Sequence, residues 1–158
     1  MIVRGTPATT ALRTAGIPFL EHSYAHDPRA AGFGIAAVEA LGVAADRVFK
    51  TLVAQVDGVL AVGVVPVRGR LDLRVFAATL GGTYAAMADA VVAERRTGYV
   101  RGGISPVGQR HPLRTVVDES ALLWDTVFVS GGRRGLELEI APADLLRAVG
   151  ATTAAITR

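Results

Sequence analysis

Cysteine is absent from the 158-residue chain. Disulfides, thiolate metal ligands and a thiol nucleophile are therefore excluded, and the composition suits a reducing compartment. Lysine is almost absent: of the 17 basic residues only Lys50 is a lysine, and the rest are arginine. Long apolar runs are also lacking. The longest, Val59 to Val67, contains a proline and falls far short of the roughly 20 residues a membrane-crossing helix needs. Met1 to Gly16 carries no apolar core followed by a small-residue cleavage site, so no secretory signal is evident and a cytoplasmic location is expected. With only three histidines, a metal centre is not expected.

What is present is a 51% hydrophobic chain long enough to bury a core, read as one domain over residues 1–158. The net charge is +3, and the basic residues are unevenly spread. Arg95, Arg96, Arg101, Arg110, Arg114, Arg133 and Arg134 face only Asp118, Glu119 and Asp125 over the same stretch. Such a stripe fits either phosphate contacts or a solvated face.

Start and stop signals organise the chain. Thr6-Pro7 opens a helix that Gly16 closes, and Phe19 to Tyr24 reads as a strand. A helix over Gly34 to Leu41 ends at Gly42. Val48–Val56 and Val59–Val65 form a hairpin across Asp57-Gly58. On its first strand Val48, Lys50, Leu52, Ala54 and Val56 share one face, and Phe49, Thr51, Val53 and Gln55 the other. Asp72 and Asp89 cap helices running to Leu80 and Arg96. Strands follow at Leu113–Val117, Thr126–Ser130 and Leu136–Ile140, and Pro142 opens a last helix to Val149. The order predicts one α+β domain around a mixed, barrel-like sheet flanked by helices.

Four features could carry chemistry. Lys50 lies mid-strand in Val48-Phe49-Lys50-Thr51-Leu52-Val53, an unusual place for lysine. Its ammonium offers three rotatable donors and a pKa that burial can lower, neither of which arginine supplies. Gly102-Gly103-Ile104-Ser105-Pro106 can form a bend whose N–H groups receive an oxyanion, carboxyl or phosphate. It is neither a P-loop nor a G-x-S-x-G elbow. Ser130-Gly131-Gly132-Arg133-Arg134-Gly135 is a hairpin loop with two arginines at its tip, suited to a phosphate backbone. His22, Tyr24, His26 and Asp27 cluster near a strand end, where the four-residue histidine spacing does not guarantee convergence.

In this order, His22 to Asp27, Phe33-Gly34, Val48 to Leu52, Val65-Pro66-Val67, Leu71-Asp72-Leu73, Met87-Ala88-Asp89, Thr97-Gly98-Tyr99, Gly102 to Pro106 with Gly108-Gln109, and Val129 to Leu136 resemble the YbaK family of aminoacyl-tRNA deacylases over nearly the whole chain. The resemblance implies release of cysteine from mischarged Cys-tRNA(Pro), without a cofactor, with the substrate thiol attacking its own ester. It implies catalytic roles for Lys50, Gly103 and Ile104, and substrate contacts from Tyr24, Thr51, Gly102, Ser105, Pro106, Ser130 and Gly131. Arg101, Arg133 and Arg134 would meet tRNA phosphates. Mischarged tRNA(Pro), with prolyl-tRNA synthetase as a possible associate, would be the partner; neither DNA nor a membrane is expected. Glu137 stands where the nearest relatives are expected to carry Asp, which leaves its role open. Other readings are an alanine- or serine-selective deacylase, a non-catalytic RNA- or synthetase-binding module, and a lyase forming a Schiff base at Lys50.

Overall fold

The computed structural model describes residues 5–26 and 32–158, so Asp27 of the histidine cluster lies outside the described residues. Helix α1 (Pro7–Ala15) begins as the sequence predicts. Thr6 Oγ1 accepts from the Thr9 N–H at 3.2 Å while the Thr6 N–H donates to Thr9 Oγ1 at 2.9 Å. This reciprocal cap satisfies two helix-end donors, and Pro7 sits where no donor is needed.

Strand β1 (Leu20–Ser23), helix α2 (Phe33–Leu41) and a 3-10 turn (Ala45–Arg47) lead into the hairpin β2 (Phe49–Val56) and β3 (Val59–Pro66). Asp57 and Gly58 both have positive φ, 49° and 84°, as a two-residue turn matched to strand twist requires. The Asp57 carboxylate accepts from the Thr83 and Tyr84 N–H groups at 2.9 and 3.0 Å, which ties the turn to the segment that follows α3 (Leu73–Thr79). Strand β4 (Ala85–Met87), helix α4 (Ala90–Thr97), β5 (Thr115–Asp118), a 3-10 turn (Glu119–Leu123), β6 (Val127–Ser130), β7 (Leu136–Ile140), α5 (Pro142–Val149) and β8 (Thr152–Ala154) complete the chain.

The fold is α+β, with two sheets. Three antiparallel strands run in the order β1-β7-β6, and five in the order β4-β2-β3-β5-β8, the last two joins being parallel. A parallel bridge between Val48 and Phe128 connects them, so the barrel-like sheet read from sequence is two sheets meeting at a seam. Strands β4 and β8 were not anticipated, because three residues are too few for a period to register.

Both faces of β2 are covered. Phe49 and Val53 join Val62, Val64, Leu138 and Ile140 in one core. Ala54 and Val56 join Val65, Phe76 and Ile156 in another. A third cluster, Ala37, Val48, Val67 and Phe128, packs α2 onto the seam. Strand β2 pairs with β3 along its whole length but with β4 only through Ala54–Val56. Its first half therefore has no strand neighbour of that sheet on the β4 side.

Asp118 fastens the chain end. Its Oδ1 accepts from the Ile156 and Thr157 N–H groups at 3.0 and 3.1 Å, and Oδ2 from Ser120 at 3.1 Å. Burial alone would raise this carboxyl's pKa, but the hydrogen bonds outweigh it and hold it below the ordinary value. A depressed pKa adds stability above the unfolded-state value near pH ~4, and loses it as pH falls through the folded-state value. Asp118→Ala should cost about 3 kcal/mol at pH 7. In urea melts the gap to wild type should narrow on acidification; a pH-independent gap would remove the charge from the account.

Candidate functional site

The gap beside β2 opens into a cavity of about 560 Å³. Phe49 to Val53 form one side, and Phe33 at the start of α2, Gly102 and Ile104 from the loop after α4, Ser130 of β6 and Glu137 of β7 form others. Main-chain groups alternate along a strand, and the Val67 N–H donates to the Val48 carbonyl, so the even-numbered residues of β2 bond β3. Val53 is of the opposite set, and its carbonyl accepts from Ala88 at 3.0 Å. Thr51 shares that set but lies beyond the end of β4, so its N–H and carbonyl turn into the gap. Its Oγ1 is buried without a hydrogen-bond partner.

Lys50 is half-buried and lines the cavity. Among the described residues no carboxylate pairs with it. Its pKa is lowered, first by burial and second by the charge of Arg70.

The glycine bend packs between two elements. Gly102 has φ 85°, and a Cβ there would come within 2.7 Å of the Phe33 ring. At Gly103 a Cβ would come within 2.8 Å of Arg133 Cα. The Gly103 N–H donates to the Val100 carbonyl at 2.9 Å, and Gly103 does not line the cavity. The Gly103 N–H, expected to face an oxyanion, is engaged in the turn. Ile104 lines the cavity, and its N–H has no partner among the described residues.

The other expected contacts divide. Thr51, Gly102 and Ser130 line the cavity. Ser105, Pro106 and Gly131 do not. Ser105 is fully buried, its Oγ accepting from the Val107 N–H at 3.2 Å. Pro106 lines a separate cavity of about 250 Å³ with Gly108 and Gln109. Gly131 is held by its N–H bond to the Leu136 carbonyl and by the Thr6 hydroxyl on its own carbonyl. These three brace the loops that shape the site. Tyr24 sits in the seam cluster; burial, then the Glu137 charge, raises its phenol pKa.

Arg101 lines the cavity and is exposed. Arg134 Nε donates to the Arg101 carbonyl at 2.8 Å, and its guanidinium lies 4.7 Å from the Phe33 ring centroid. Arg133 is exposed and offers its backbone to Gly103. His22 Nε2 and Glu139 Oε1 are 2.9 Å apart, whereas His26 stacks on Phe33, so the two histidines do not converge.

The sequence reading missed Phe33 as a wall and left Glu137 without a role. Alternation in Leu136-Glu137-Leu138-Glu139-Ile140 assigns both glutamates to one face, and only the covering of that face distinguishes them. Burial raises the Glu137 carboxyl pKa to about 8.

A family model described as an aminoacyl-tRNA editing domain matches residues 30–148. A protein of Enterococcus faecalis, provisionally named Cys-tRNA(Pro)/Cys-tRNA(Cys) deacylase EbsC, is 36% identical over 120 residues, covering 75% of this chain and 73% of that one. A solved structure provisionally described as a trans-editing enzyme for prolyl tRNA synthetase superposes with TM-score 0.82 at 26% identity, covering 96% of this chain and 95% of its own. The crystal structure of a hypothetical protein gives TM-score 0.86 at 25% identity, covering 96% and 99%.

A single lysine makes one measurement direct. In an NMR titration of the Lys50 side chain, its pKa should lie below 10.5 and rise toward it in Arg70→Ala, because a neighbouring cation disfavours the protonated form. An unchanged value in that variant would leave burial as the sole cause.

Proposed function

The chain belongs to the YbaK family of aminoacyl-tRNA editing proteins, and from that premise we propose that it releases cysteine from mischarged Cys-tRNA(Pro). One observation carries the reading: Lys50 and the Gly102–Ile104 bend, far apart in sequence, line the same cavity. An ammonium and a main-chain donor can therefore act on one acyl linkage.

The protein has no cysteine, so the attacking sulfur belongs to the substrate. The substrate thiol loses its proton and attacks its own carbonyl carbon. The ester C–O bond breaks, the ribose oxygen takes a proton, and a thiolactone and free tRNA leave. Holding thiol over carbonyl contributes an effective molarity of up to roughly 10⁵ M. The Ile104 N–H receives the developing oxyanion, a contribution of about 3 kcal/mol. Lys50 orients the 3′-terminal nucleotide through its phosphate, and exposed Arg101 extends the positive surface toward the acceptor end. Selection of tRNA(Pro) is assigned to a complex with prolyl-tRNA synthetase.

Lys50→Arg should lose activity nearly as completely as Lys50→Ala, by about 100-fold or more, since a planar fork misplaces the contact. Wild-type turnover by the arginine variant would end the special status of Lys50. The same purified enzyme should release Ser from Ser-tRNA(Pro) far more slowly than Cys. Equal rates would exclude thiol assistance and favour a less selective deacylase. A panel of mischarged tRNAs, with and without prolyl-tRNA synthetase, tests the whole reading; binding without ester loss would replace it with a non-catalytic module.

A further inference from the structure

The proposed reaction leaves the carboxylate of the cavity, Glu137, without a task. Glu137 is 8% exposed and is the only carboxylate among the described residues that line the cavity. Its Oε2 is buried with no hydrogen-bond partner among the described residues, and Thr51 Oγ1 is in the same state. Buried polar groups are rarely left unpaired, and two at one cavity call for a polar occupant.

The neighbours of Glu137 do not pair with it: the Tyr24 phenol, near enough to feel its charge, makes no hydrogen bond to it among the described residues. The strand register sets it opposite His22 of β1 and Ser130 of β6. His22 is engaged with Glu139, and Ser130 Oγ accepts from the Gly132 N–H at 3.2 Å. Nor is Glu137 the counter-ion of Lys50. Only burial perturbs its carboxyl, and no carboxylate contributes to the lysine's shift.

The cavity is thus lined by charges of both signs, and the pairing of Val48 with Phe128 and of Ser130 with Glu137 sets Glu137 on the Lys50 face of the seam, with the Thr51 main chain at the edge between the faces. Lys50, with Arg70 beside it, and exposed Arg101 present positive charge; buried Glu137 is the single acidic group among the described lining residues. Thr51 adds its turned-in main-chain carbonyl on the unpaired stretch of β2. An aminoacyl nucleotide also carries charges of both signs, with phosphate at one end and an ammonium at the other. A primary ammonium carries three N–H donors and no acceptor, which is what a carboxylate, a hydroxyl oxygen and a carbonyl can receive.

We propose that Glu137 and Thr51 form a subsite for the free α-ammonium group of the aminoacyl ester, so that the cavity refuses esters whose amine is blocked. This rests on the editing reading and extends it to a substrate feature. Glu137 acts as a positioning residue: fixing the amine orients the adjacent acyl carbonyl toward Ile104.

The test uses a non-hydrolysable amide, 3′-(L-cysteinyl)amino-3′-deoxyadenosine 5′-monophosphate, and its N-acetyl form, titrated by calorimetry into wild type and Glu137→Gln. Wild type should bind the free amine about 30-fold or more tighter than the acetylated form, as loss of a buried charge partner implies. In Glu137→Gln the ratio should shrink to within about threefold, almost entirely through the free amine. Steady-state kinetics should agree, with KM for Cys-tRNA rising in the variant while N-acetyl-Cys-tRNA remains equally poor for both proteins. Should the variant fail to fold, the wild-type ratio alone decides. Equal binding of the two amides by a wild type that deacylates Cys-tRNA would overturn the subsite and leave the editing reading standing. A wild type that binds neither amide and deacylates no aminoacyl-tRNA would overturn both.

Discussion

Strand β2 is paired along its full length on one side and through only three residues on the other, and the site exists because of that mismatch. Strand β4 ends at Met87, and Asp89 then caps α4, accepting from the Val91 and Val92 N–H groups and turning the chain away. From the other direction the Val48–Phe128 bridge closes the seam between the sheets. Between these two points the backbone of Thr51 has no strand to meet. An unpaired edge inside a sheet is costly unless something with donors and acceptors fills it. Here the filler is a cavity, and the chain surrounds it with a helix N-terminus, a glycine bend and two residues of the second sheet.

The placement of charge follows from the same geometry. A lysine mid-strand keeps its ammonium close to the strand that carries it, and β2 is buried on both faces. Arginine in that position would project a wide planar fork past the gap. The chain, which uses arginine for its other cationic side chains, departs from that habit at a half-buried position lining the cavity. Its remaining cations near the cavity stand at or beyond the exposed margin, as Arg101 and Arg134 do. The one carboxylate among the described lining residues, Glu137, is buried.

The elements were legible where the signals are local. Thr6-Pro7, Asp57-Gly58, Asp72, Asp89 and Pro142 mark ends by their own hydrogen-bonding chemistry, and each stands where that chemistry placed it. Lys50 was legible as an anomaly of composition. The glycine bend was legible as a feature but not in its parts: nothing in Gly102-Gly103-Ile104 says which N–H closes the turn and which residues line the cavity. Ser105, Pro106 and Gly131 belong to the right loops, yet loop residues divide between bracing and facing the cavity according to neighbours distant in sequence, such as Thr6 for Gly131. Glu137 was illegible for another reason. Strand alternation reports which residues share a face, and only the fold reports that this face is covered.

The chemistry available in the cavity also narrows what can attack an ester there. Thr51 and Ser130 supply hydroxyls, but a hydroxyl at neutral pH needs a base to become a nucleophile. No histidine lines the cavity among the described residues. Glu137, with its carboxyl pushed up to about 8, is largely protonated near pH 7 while the cavity is empty, and an ammonium bound beside it would hold its charge in an ion pair. The Lys50 pKa is lowered by burial and then by Arg70. A substrate thiol, with an ordinary pKa near ~8.5, ionises far more readily than either hydroxyl. A site with no activated nucleophile among its described residues suits a substrate that brings its own. Under the proposed mechanism, selectivity for cysteine then arises in the reaction step as much as in the fit of the side chain.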